Sequence, residues 1–156
     1  MDSRRREALA VLASAGVLGA LAAAGLVTPF EARAAEASRS PFESKTVAEA
    51  LKTLGAGQPE DGHEIALTVP DIAENGAVVP VSATSSIPET ESLSILVAKN
   101  PYPLAAIFSF PRGTQPFVSA RVKMAETSTV MVLVKAQGKF YATGKDVKVT
   151  LGGCGG

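Results

Sequence analysis

Cys154 is the only cysteine in a chain of 156 residues, and it stands between two glycine pairs, Gly152-Gly153 and Gly155-Gly156. A thiolate forms and exchanges S–S bonds, so a single sulfur atom can load, hold and release sulfur compounds. Glycine loses more conformational freedom on ordering than any other residue, and four of them around one thiol favour a mobile, side-chain-free segment. If the last strand ends near Leu151, the thiol can stand about 10 Å beyond it, at roughly 3.3 Å per extended residue. The spacing points to a flexible carrier arm, the protein counterpart of a lipoyl or pantetheine group, on which a bound intermediate is handed between separate enzymes.

The other residues capable of chemistry form no constellation. His63 is the single histidine and lies in the polar turn Asp61-Gly62-His63-Glu64. One His and one distant Cys fall short of the three or four ligands that a metal needs, so neither metal nor cofactor is expected. A Cys-His nucleophilic pair requires a rigid geometry that a glycine tail does not maintain. Asp71, Glu74, Glu89 and Glu91 fall in loops, with no spacing that pairs an acid with a base. No phosphate-cradling glycine pattern follows a strand. These absences predict a carrier that is acted on by enzymes and is not itself one. Two other uses of the thiol stay open: an interaction module in which Cys154 joins two copies through a disulfide, and a thiol redox enzyme, which would lack a resolving cysteine.

The elements that must carry the thiol begin with a leader. Arg4, Arg5 and Arg6 precede an uncharged run from Ala8 to Val27 built mainly from Ala, Leu, Gly and Val. A basic head and an apolar body mark an export signal over residues 1–34, with small-x-small cleavage sites giving mature starts at Ala35 or Ser38. Ser3-Arg4-Arg5-Arg6-Glu7-Ala8-Leu9 looks like a twin-arginine signal, which exports folded cargo, while a general secretory leader also fits. The same run is long enough to span a bilayer, but Ala and Gly give it little hydrophobicity, and no membrane attachment is expected after cleavage. Cleavage before Ala35 removes four arginines and three acids, leaving 11 basic and 12 acidic residues. A net charge of −1 offers no basic footprint for nucleic acid. Export to the periplasm places Cys154 in an oxidising compartment.

Residues 35–151 read as one domain. Thr46-Val47-Ala48-Glu49 fits a capping box, Val47, Leu51 and Leu54 share a helical face, and Gly55 stops the helix, which predicts a short helix over 46–54. Eight strands follow, at 64–69, 78–83, 93–98, 104–110, 117–124, 130–136, 139–143 and 147–151. Residues 117–124 alternate most clearly, with Val118, Ala120, Val122 and Met124 inward and Ser119, Arg121 and Lys123 outward. Gln137-Gly138 is a hairpin turn. Pro80 cannot donate to a ladder, which puts its strand at an edge or a bulge. The fold class is all-β: an immunoglobulin-like antiparallel β-sandwich with a short N-terminal helix and a flexible C-terminal arm at 152–156.

Three internal stretches and the tail carry a family resemblance. Lys148-Val149-Thr150-Leu151-Gly152-Gly153-Cys154-Gly155-Gly156 resembles the terminal signature of the SoxY family, the sulfur-carrying subunits of the Sox thiosulfate-oxidising system. Residues 73–81 (AENGAVVPV), 100–104 (NPYPL) and 116–121 (PFVSAR) are similar to internal stretches of that family. The resemblance implies that Cys154 receives thiosulfate by oxidative conjugation catalysed by the haem protein SoxXA. It further implies that SoxB, a manganese hydrolase, releases sulfate, and that SoxCD, where present, oxidises the remaining persulfide sulfur. It also implies a heterodimer with SoxZ, a second β-sandwich.

Overall fold

The computed structural model describes residues 40–153. The leader with Arg4, Arg5 and Arg6, and the terminal Cys154, Gly155 and Gly156, lie outside the described residues.

A short 3-10 turn, Ser40–Glu43, precedes helix α1, Val47–Thr53. The cap forms with its return bond one residue earlier than a strict capping box: the Glu49 amide donates to Thr46 Oγ1 at 3.1 Å, and the Glu49 carboxylate accepts from the Lys45 amide at 2.8 Å. At the other end the Gly55 amide donates to the Lys52 carbonyl and the Ala56 amide to the Leu51 carbonyl. Gly55 takes φ +76°, so these bonds close a Schellman stop that only a residue tolerating the left-handed region completes without strain.

Nine strands follow: β1 Glu60–Asp61, β2 Ile65–Thr68, β3 Ile72–Ala73, β4 Val79–Ser85, β5 Thr90–Val97, β6 Leu104–Ser109, β7 Phe117–Val122, β8 Ser128–Ala136 and β9 Lys139–Val149. The larger sheet runs β1-β9-β8-β5-β6, with β3 also pairing to β9, and the smaller runs β2-β4-β7. Its long ladders are antiparallel, whereas the two-residue β1 and β3 lie parallel to β9. The fold is a β-sandwich consistent with the immunoglobulin-like class.

Two apolar layers hold it together. Between the sheets, Val79, Val81 and Ala83 of β4 meet Leu93, Ile95 and Val97 of β5 and Val130, Val132 and Val134 of β8. On the far face of the larger sheet, Leu96, Leu104 and Leu133 are covered by Ala50 and Ala56, with Val47, Leu51 and Leu54 beside them. This second layer explains the continuous apolar runs Ile95-Leu96-Val97 and Val130-Met131-Val132-Leu133-Val134. A strand covered on both faces has no side facing water, so its sequence loses the period of two. Strand β7, with only one face covered, keeps it: Val118 and Val122 are buried while Ser119 and Arg121 are exposed.

Three local expectations are corrected. The strands expected at 139–143 and 147–151 are one, because Gly144, Lys145 and Asp146 continue the ladder opposite Met131, Val130 and Thr129. Their side chains are occupied, Lys145 by Asp71 at 2.8 Å and Asp146 by the hydroxyl of its cross-strand neighbour Thr129 at 2.6 Å. Strand β4, which carries Pro80, is the middle strand of its sheet and not an edge. The β2 ladder ends at Thr68 opposite Ser82, so at Pro80 the strand has β7 as its only neighbour and its other side is locally an edge. The short β1 and β3 lie in segments expected to be loops; two residues are too few to show a period. The Gln137-Gly138 turn appears as expected, with φ of +53° and +72° joining Ala136 to Lys139.

Candidate functional site

Strand β9 delivers the chain toward the cysteine, and its last residues are tied down one after another. Ile72 and Ala73 pair with Lys148 and Val149. The Thr150 amide donates to the Ala73 carbonyl at 3.1 Å, and the Thr150 hydroxyl donates to the Glu74 carbonyl at 3.0 Å. Leu151, whose side chain is 67% exposed, gives its carbonyl to the Gly76 amide at 2.7 Å. The Gly153 amide then donates to the Met124 carbonyl at 2.9 Å, and the Met124 amide to the Gly76 carbonyl at 2.7 Å. Gly76 and Met124 thus form a seat that Leu151 and Gly153 occupy.

The seat is itself braced. Asn100 donates from Nδ2 to the Lys123 carbonyl at 2.7 Å and accepts from the Ala125 amide at Oδ1 at 2.9 Å, bracketing Met124 from both sides. Asn75 Oδ1 accepts from the Ala77 amide at 2.8 Å, holding the turn that presents Gly76. Thr127 accepts the Val149 amide at 3.0 Å, locking the end of β9 to the start of β8.

Backbone lies against backbone here with no room for a side chain. A Cβ on Gly76 would stand 2.8 Å from the Gly153 nitrogen and would also strike the Met124 carbonyl oxygen. One on Gly152 would strike the Ala125 carbonyl, and one on Gly153 the backbone of Gly76 and Ala77. Gly152 and Gly153 therefore differ from the free tether expected of them: in this conformation their lack of a Cβ serves close approach, and Gly153 is half-buried.

The remaining candidates stand apart. His63 is 87% exposed, its Nε2 3.4 Å from Asp61 Oδ2. Lys145 beside Asp71, by hydrogen bond and charge, holds that carboxyl below its ordinary range, and Lys135 does the same to Glu91 from 2.6 Å. Each of these carboxylates has a lysine, not a second carboxylate, as its partner. Glu74 contributes its carbonyl to the arm root and Glu89 occupies a turn at φ +54°. Among the described residues no three His, Cys, Asp or Glu side chains gather as a metal site would require. No helix of the described residues is long and apolar enough to cross a membrane.

Gly76, Asn100 and Met124 were not singled out by residue chemistry, since none is titratable or nucleophilic. The signal was nevertheless present: residues 73–81 and 100–104, two of the stretches that carry the family resemblance, converge on the arm root, and the third forms β7, which leads into Met124.

Fold and root together define a β-sandwich whose last described residues, Leu151 to Gly153, are seated on Gly76 and Met124. The model of the sulfur oxidation protein SoxY matches residues 50–154, and the chain belongs to that family. Among solved structures it is similar to the sulfur carrier protein SoxY from Chlorobium limicola f thiosulfatophilum, with 37% identity and a TM-score of 0.57 over 64% of this chain and 93% of that one. A superoxide reductase (neelaredoxin) from Ignicoccus hospitalis is similar at 13% identity and a TM-score of 0.49, over 56% of this chain and 80% of that one, and has no bearing on function. No curated protein matches the chain.

Proposed function

We propose that this protein is a periplasmic sulfur carrier that holds thiosulfate-derived sulfur covalently on Cys154 while partner enzymes act on it. The observation that carries the reading is the extent of the family match, which runs through residue 154 and so includes the thiol. The similar structure bears the name of a sulfur carrier.

The chemistry follows from the thiol. The Cys154 thiolate and the sulfane sulfur of thiosulfate join in an S–S bond, and the two electrons released pass to the haem of the SoxXA partner. The product is a cysteine S-thiosulfonate. Water then attacks its terminal sulfonate sulfur in SoxB; the S–S bond to that sulfur breaks, sulfate leaves with two protons, and a persulfide stays on Cys154. Where SoxCD is present, the persulfide sulfur is oxidised in place. The carrier contributes the attachment atom and its delivery, with no cofactor and no metal of its own. SoxZ is the stable partner in a heterodimer. Arg4, Arg5 and Arg6 open a twin-arginine leader over residues 1–34 that exports the folded pair, and Gly152, Gly153, Gly155 and Gly156 let the thiol enter narrow active sites.

Two measurements test this. Mass spectrometry of the C-terminal peptide from thiosulfate-grown cells should find thiosulfonate, sulfonate or sulfane adducts on Cys154; an unmodified thiol in every preparation contradicts the reading. Cys154→Ser should keep its melting temperature and lose all thiosulfate-dependent turnover in a reconstituted system, because the segment contributes nothing to the core.

A further inference from the structure

We infer that Gly76 and Asn100 are positioning residues for the carrier cysteine: through the backbone of Met124 and Ala125 they seat Gly152 and Gly153, and so fix where the arm begins and how far its thiol reaches. The inference rests on the carrier reading only for its purpose; the seat itself is a matter of backbone geometry.

Three independent features of the described residues meet at one place. Two hydrogen bonds grip the root, from Gly76 to the Leu151 carbonyl and from Gly153 to the Met124 carbonyl. Three glycines, Gly76, Gly152 and Gly153, stand where any Cβ would collide with main-chain atoms, which a rotamer change cannot relieve. Asn100 spends both halves of its amide on Lys123 and Ala125, the residues flanking Met124. Its effect on the arm is indirect, exerted through the main chain that it braces.

The seat changes the length of the tether. A root at Leu151 leaves three residues to Cys154, about 10 Å when extended, whereas a root at Gly153 leaves one, about 3.5 Å. Volume scales as the cube of reach, so seating confines the cysteine to a region roughly twenty-fold smaller. A seated thiol is presented close to the end of the sandwich; an unseated one searches widely. The two glycines before the cysteine thus serve twice, fitting the seat when it is closed and leaving the tether slim when it opens.

The experiment follows the Gly153 amide by hydrogen exchange in the full mature protein, beside iodoacetamide labelling of Cys154 and the melting temperature. In the native protein the Gly153 amide should exchange at least about tenfold more slowly than in a free peptide of the same terminal sequence. Asn100→Ala and Gly153→Ala, the first unbracing the seat and the second blocking it, should each bring the amide at position 153 back toward the rate of a free peptide of the matching sequence and change the labelling rate of Cys154. The melting temperature of Gly153→Ala should stay native, since the root is no part of the core. A Gly153 amide that exchanges at the free-peptide rate in the native protein overturns the inference, and this measurement decides even if a variant fails to fold. Native protection that survives both substitutions overturns the role of Asn100 and of the glycine fit. None of these readouts involves thiosulfate, so a failure here leaves the carrier reading standing, and the loss of that reading leaves the seat measurable.

Discussion

The two ends of the sandwich use the same residue types in opposite ways. At the arm end, Gly76, Gly152 and Gly153 have no unusual φ, yet there is no space for a side chain at any of them. At the other end, the β4–β5 turn and the β6–β7 loop border an open cleft of about 680 Å³ lined by Ile87, Glu89, Phe110 and Arg112 among others. Gly113 in that loop has φ +82° and nothing within 4 Å of where its Cβ would be. The glycine there answers a demand of the turn, and the glycines at the arm root answer a demand of packing. Hydroxyls organise the open end, where Ser85 Oγ and Thr90 Oγ1 lie 2.8 Å apart and Thr90 donates to the Ile87 carbonyl. At the arm end main-chain amides and carbonyls bond to one another at close range, with Asn100 bracing them, so that end is the more sensitive to any added atom.

That contrast is open to direct attack. Gly76→Ala should be the most damaging single glycine change, lowering stability in chemical denaturation by about 1–3 kcal/mol because its new methyl meets main-chain atoms on two sides. Gly113→Ala should cost about 1–2 kcal/mol, the left-handed penalty alone, and Gly113→Asn less. If Gly113→Ala proved the costlier of the two, the distinction between packing and turn glycines would collapse. Gly152→Ala should leave denaturation unchanged while altering the exchange of the Gly153 amide, since only the root has to move.

The smallest effects are electrostatic. The carboxyls of Asp71 and Glu91 are held below their ordinary range by hydrogen bonds from Lys145 and Lys135, so the unfolded chain takes up their protons first as the solution is acidified. Their stabilisation is complete above the ordinary values of about 3.9 and 4.3 and fades as pH falls through the depressed ones. Lys139 is raised by its bond to Glu60, and the sign reverses: that contribution is complete below about 10.4 and is lost as pH rises through the raised value. All three pairs are exposed and individually small. Carboxyl titrations by NMR check them: Lys145→Gln should return Asp71 to its ordinary range and leave Glu91 where it is.

How much of this was legible in residue order depended on the range of the forces involved. The helix start and stop were readable because Thr46, Glu49 and Gly55 satisfy amides and carbonyls within a few positions of themselves. The β8–β9 turn was readable because Gln137-Gly138 meets its own φ requirement. Strand β7 showed its inward face through alternation, since one side of it meets water. The lone Cys154 between its glycines stood out in the sequence, and the family match runs through that residue.

Other features needed the third dimension. Whether Pro80 sits at an edge depends on where β2 stops, a fact about a different strand. That Gly144, Lys145 and Asp146 continue a strand depends on Met131, Val130 and Thr129 lying opposite them. The arm root is the extreme case, because Gly76, Asn100, Met124 and Gly153 are far apart in the chain and meet only through main-chain hydrogen bonds and the two that the Asn100 side-chain amide makes to the neighbours of Met124. Sequence alone determined where the single thiol stands and which local turns and caps form, since those rest on the identity of near neighbours. Tertiary structure alone decided what the glycines before that atom are resting on, because close approach between distant backbones leaves no periodic trace in the order of the residues.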